Sequence, residues 1–158
     1  MTTTGVALYR RVRKDEFPGG PVVDGHAVSG VLDPSFEDAP LPSGRTRLAD
    51  VRPERDSAGE EFVNPGAGAS LFDRKNRTRF PRNCWWFFTL PEGTIIPESL
   101  KIVPGEFSTR FGANHYQIEP AAQRMSLAAY KGALDNLARN AVVKSCENSP
   151  SGKARVQE

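Results

Sequence analysis

The chain has 158 residues, a formal net charge of +2 and an apolar fraction of 38%. That length suffices for one buried core without a second domain, and so even a charge balance gives no whole-chain argument for a nucleic-acid or membrane partner. With 13 prolines and 14 glycines, the composition points to a loop-rich α+β domain over residues 1–147 and a disordered tail over 148–158.

Residues 6–12 alternate as a strand does, with Val6, Leu8, Arg10 and Val12 on one face. Arg10 therefore falls on the face that should be buried, where a charge needs a partner. From Asp15 to Pro53 proline or glycine recurs every few residues. This stretch reads as mostly irregular, and a connection so long is usually either functional or disordered. His26 reads as a surface loop residue, and Arg45, Arg47, Arg52 and Arg55 as solvated loop charge.

Next comes GAGASLFDRKNRTR, residues 66–79. Gly66 and Gly68 can take backbone angles closed to other residues, and small residues let a backbone approach something bulky. Either a flexible turn or the floor of a ligand site fits. The aromatic run from Phe80 to Leu90 is expected to be a central strand, since Trp85, Trp86, Phe87 and Phe88 cannot all face one side. Thr94 to Leu100 reads as a short connection, and Leu100 to Val103 as a strand stopped by Pro104-Gly105. His115 to Glu119 alternates into a strand that points His115, Gln117 and Glu119 the same way. The clearest helix runs from Arg124 to Cys146, where Leu127, Tyr130, Leu134, Leu137 and Ala141 form an apolar stripe. Lys131, Asp135, Arg139 and Lys144 fall off that stripe and are expected to be wet.

Several chemistries find no support. Cys84 and Cys146 make neither a disulfide framework nor a metal quartet, and the two histidines lack companions at ligand spacing, so no metal is expected. No phosphate loop is present, and Ser70, His115 and Asp73, although the residue types of a hydrolase triad, lack a nucleophile elbow. The N-terminal residues carry no apolar signal core and no apolar run reaches membrane-spanning length, which reads as a soluble protein of reducing cytoplasm.

What coheres is an arginine, Arg10, on one strand, Ser70 after small residues on a second, and Gln117 with Glu119 on a third. This set resembles the arginine, serine and glutamate layout of ADP-ribosyltransferases. More specifically, ALYR (7–10), GASLFDR (68–74), LPEGTIIPESLKI (90–102), ANHYQIEP (113–120) and LDNLARNA (134–141) resemble the Tse-type family of type VI secretion effector toxins. The resemblance implies an ADP-ribosyltransferase-like fold, with twisted, mostly antiparallel sheets around an NAD cleft and a long C-terminal helix packed on the sheet. It implies NAD as substrate, a macromolecular target in the cytoplasm of another cell, and an immunity protein covering the cleft. Arg10, flanked by Tyr9, matches the phosphate-holding arginine, a role suited to a planar guanidinium, and Arg47 is a further phosphate candidate. Gly68, Ala69 and Ser70 match the nicotinamide pocket, Ala69 standing where many relatives carry threonine. Gln117, and either His115 or Glu119, face the nicotinamide ribose. Two rivals remain open: a non-catalytic interaction domain of the same fold, and a nucleic-acid-directed toxin using the basic run from Arg74 to Arg82.

Overall fold

The computed structural model describes residues 1–75 and 84–149. Phe80 to Asn83 of the expected aromatic strand, Arg77, Arg79 and Arg82 of the basic run, and the tail from Pro150 lie outside the described residues. In chain order the elements are β1 (Thr2–Thr3), β2 (Leu8–Arg13), β3 (Val22–Val23), β4 (His26–Ala27), β5 (Ala39–Pro40), β6 (Thr46–Arg47), β7 (Glu54–Arg55) and β8 (Glu61–Val63). They continue with β9 (Ala69–Phe72), β10 (Trp85–Leu90), β11 (Ile95–Ile96), β12 (Leu100–Ser108), β13 (Ala113–Pro120), β14 (Met125–Ser126) and α1 (Leu127–Asn148).

Five strands form the main sheet in the order β10-β2-β9-β13-β12, with every neighbouring pair antiparallel. Alternation places Leu8, Val12, Phe88, Leu90, Ala69, Leu71 and Ile118 on one face, and α1 covers it. Helix α1 begins at Ser126, whose Oγ accepts the Ala129 amide at 3.1 Å and so satisfies one of the helix's unpaired first-turn donors. Its buried side chains are Tyr130, Leu134, Leu137, Ala138, Ala141 and Val142, the stripe that the 3.6-residue period predicts. The helix runs two residues past Cys146, into what was expected to be tail.

Tyr130 ties the helix to the sheet. It is fully buried, its hydroxyl accepts the Ala69 amide at 3.2 Å, and it donates to the Ile118 carbonyl at 2.7 Å. Burial pushes the phenol up to about 12, so it remains a donor at ordinary pH. Tyr130→Phe is expected to leave both backbone groups short of a partner. A loss of about 1–3 kcal/mol follows, to be read as a lower denaturant midpoint at unchanged slope.

Three expectations need correction. Among the described residues, the aromatic strand β10 comes last in the sheet order, beside β2. Both its faces are nonetheless covered at the middle, with Phe87 at 5% and Phe88 at 1% exposure. Strand β12 does not stop at Pro104-Gly105 but runs on to Ser108, with one extra residue bulged out between Pro104 and Phe107. As the last strand at the other end of the described sheet, and with a bulge just after it, β12 tolerates a proline more readily than a central strand does. Finally, the stretch from Asp15 to Pro53 carries the hairpins β3–β4 and β5–β6 and supplies Val31, Leu32 and Val51 to the core, each at 2% exposure or less. Its turns follow no period, so hydropathy alone could not reveal that burial.

Candidate functional site

The site is a break in the sheet. Strands β2 and β9 share a single residue pair, Tyr9 with Phe72; among the described residues the next pairs, Arg10 with Leu71 and Arg11 with Ser70, are not formed. From that point the strands diverge and a cavity of about 900 Å³ opens between them. This is at the upper end of the usual range for small-molecule sites, roughly 300–1,000 Å³. Arg10 lines one wall, Ser70, His115 and Gln117 line the other, and the turns and loops of the irregular stretch close the mouth through Asp33, Arg47 and Asp50.

Arg10 fills the fork of the split. It lies on the core face with Leu8 and Val12, and its guanidinium donates to the Ser70 carbonyl at 3.0 Å and to the Asp33 carbonyl at 2.8 Å. A side chain thus takes the carbonyl that a continuing strand would have bonded through its backbone. Burial pulls the guanidinium below its ordinary value, opposed by Asp50, Tyr130, Asp33 and Glu16. Its Nε and the Asp33 Oδ1 are buried without a hydrogen-bond partner. Asp33 also belongs to a turn that α1 anchors: Asp135, expected to be wet, accepts from Ser29 Oγ at 2.7 Å and from the Gly30 amide at 2.9 Å.

On the opposite wall, register pairs His115 with Phe72 and Gln117 with Ser70, so all four side chains share one face. His115 Nε2 lies 2.9 Å from Ser70 Oγ, and its ring sits 5.4 Å from the Phe72 ring. Burial lowers the His115 ring below its ordinary value, with Asp50 pulling the other way. The ring is therefore neutral near pH 7, able to accept from one nitrogen and donate from the other. Across the cavity, Arg11 of β2 is stacked 4.8 Å over the Trp85 ring and 5.2 Å over the Phe111 ring.

Four of the residues expected at the site stand elsewhere. Glu119 is 7% exposed, accepts the Gly66 amide at 2.8 Å and does not line the cavity. Gly68 and Ala69 lie behind the cavity wall. A Cβ on Gly68 would run into the Ile118 carbonyl, so its smallness serves the approach of β9 to β13, while Ala69 is fully buried against Tyr130. Tyr9 points past the cavity, its ring 5.3 Å from the Lys75 ammonium. Asp73 turns from the histidine to bond Asn114 through both carboxylate oxygens at 2.8 Å, which removes the hydrolase triad. Sequence reasoning missed Asp33, Asp50 and Phe111; the only hint of the first two was the length of the irregular stretch that carries them. Among the described residues no group of three histidine, cysteine or acidic side chains could hold a metal ion, and no helix is long and apolar enough to cross a membrane.

The family model described as Tse2 ADP-ribosyltransferase toxin matches residues 5–146. A curated relative, Toxin Tse2 of Pseudomonas aeruginosa, is 30% identical over 155 residues, a span that covers 92% of this chain and 94% of the relative.

Proposed function

The chain belongs to the Tse2 ADP-ribosyltransferase toxin family, and on that premise we propose that NAD is bound and split in the cavity between β2 and β9. The toxin's activity is ADP-ribosyltransferase-like: the bond between ribose C1′ and the nicotinamide nitrogen breaks with its electron pair going to nicotinamide. C1′ then bonds to a nucleophile of the acceptor, which gives up a proton. The observation that carries the assignment to this cavity is the Ser70–His115 pair opposite the Arg10 fork.

The cleft's own residues divide the work. Ser70, His115 and Gln117 lie along one wall and meet the nicotinamide ribose, where a positioned hydroxyl and imidazole can orient the ring for cleavage. Arg47 at the mouth, with Arg11, supplies positive charge for the diphosphate. Arg10 holds the carbonyls of Ser70 and Asp33 and so shapes the fork that receives the ligand. The protein acts in the cytoplasm of a target cell as a type VI secretion effector, and an immunity protein covers the cleft in the producer.

The test uses NAD labelled in two places. Wild-type protein is expected to release label from the nicotinamide ring, and to transfer adenine label to a macromolecule in target-cell lysate. Growth arrest without either signal would overturn the reading.

A further inference from the structure

Cleaving NAD builds positive charge on the ribose, and a carboxylate is the side chain suited to face it. The family-matched glutamate is not placed to do so, since Glu119 is held to the Gly66 amide outside the cavity. Four other carboxylates line the cavity: Glu16, Asp33, Asp50 and Glu106. We propose that Asp50 is the carboxylate that faces the cationic ribose. The proposal rests on the cavity between β2 and β9 being the NAD site.

Asp50 is fixed although it stands on irregular chain. Its amide donates to Ser35 Oγ at 3.0 Å, and the next residue, Val51, is 2% exposed and donates its amide to the Ser35 carbonyl at 3.1 Å. The backbone is therefore held at two successive positions by one serine, one of them with its side chain sunk in the core. Among the described residues the carboxylate takes one long contact, from the Ser35 amide at 3.4 Å, which leaves acceptor capacity for a ligand. Its charge is the foremost of those favouring protonated Arg10, and the one carboxylate felt at the His115 ring. Asp50 is thus electrostatically linked to both walls of the cleft.

The other three are less suited. Asp33 has a buried, unpartnered oxygen and is pushed up by burial and by Asp135, which weakens it as an anion. Glu16 acts on Arg10 less than Asp50 does, and Glu106 sits on the β12 bulge, away from the Arg10 fork's foremost charges.

The step balances without a further reagent. The C1′–N bond breaks, the electron pair leaves on nicotinamide, and the Asp50 carboxylate offsets the charge on the ribose until the acceptor bonds to C1′ and releases its proton to solvent. It neither forms a bond nor takes a proton.

Asp50→Asn keeps shape and the Ser35 contact but removes the charge. With NAD as the probe, its Kd is expected to stay within about threefold. Nicotinamide release and label transfer are expected to fall about 100- to 1,000-fold, the loss typical of one transition-state electrostatic partner. By NMR, the His115 ring titrates at a lower pH in this variant, because the charge that opposed burial is gone. Asp50→Glu restores the charge one methylene away and regains part of the rate. Should Asp50→Asn keep activity within about twofold while Ser70→Ala and His115→Ala lose theirs, the Asp50 assignment falls and the cleft stands. If all three keep it, the cleft reading falls too.

Discussion

Gly68→Ala is expected to be strongly destabilising. The φ of Gly68 is unexceptional, so the cost is one of space and not of backbone angle. The added Cβ would overlap the carbonyl oxygen and carbon of Ile118, and both belong to backbone that cannot rotate away. Relief requires β9 and β13 to separate at the place where Tyr130 bonds both of them, at Ala69 and at Ile118. The loss therefore combines steric strain with broken buried hydrogen bonds, and about 3 kcal/mol or more is expected. Thermal unfolding measures it: a chain of this length shifts by several degrees per kcal/mol, so the variant should melt at least about 8 °C lower or fail to fold. An unchanged melting temperature would mean that the two strands do not approach as closely as described. Gly66 differs in kind. Its φ is +104° with nothing within 4 Å of a Cβ, so alanine there meets backbone strain and no collision.

Ser70→Ala carries the largest expected effect on activity. The hydroxyl is the described partner of His115 Nε2, and removing it frees the ring to turn within the cleft. Nicotinamide release is expected to fall about 100-fold or more, with the melting temperature nearly unchanged because the methyl group left behind keeps most of the packing. His115→Ala should cost a similar factor. Since the two side chains form one hydrogen-bonded unit, the double variant is expected to lose little more than either single one. Multiplicative losses would show that serine and histidine act independently. Arg10→Ala belongs with the stability variants as well as the functional ones, because it strips partners from the carbonyls of Ser70 and Asp33.

Much of this was legible in the residues, and the failures share a cause. The stripe through Tyr130, Leu134 and Leu137 and the alternation through β2 and β13 fixed the helix and the faces, including Arg10 on the buried side. Periodicity reports which way a side chain points, but it says nothing about which strand lies alongside. Hence β10, rich enough in aromatics to sit centrally, comes last in the order of the described strands, and β12 passes through a proline beside its bulge. Ser70, His115 and Gln117 could be named because they sit on regular strands. Asp33 and Asp50 could not, because their placement depends on tertiary anchors, Asp135 and Ser35, that have no local signature. Glu119 was misleading for the same reason: two residues from Gln117 on a strand face, it is drawn aside by the Gly66 amide at the strand's end.

The single residue pair between β2 and β9 also has a mechanical meaning. Two plates of sheet, β10–β2 and β9–β13–β12, meet at a seam one residue long, and Arg10 is the pin across the gap beyond it. Widening the gap strains the side-chain bond from Arg10 to Ser70 and not a ladder of backbone ones. Within this sheet, the compliant direction is the one that opens the cavity.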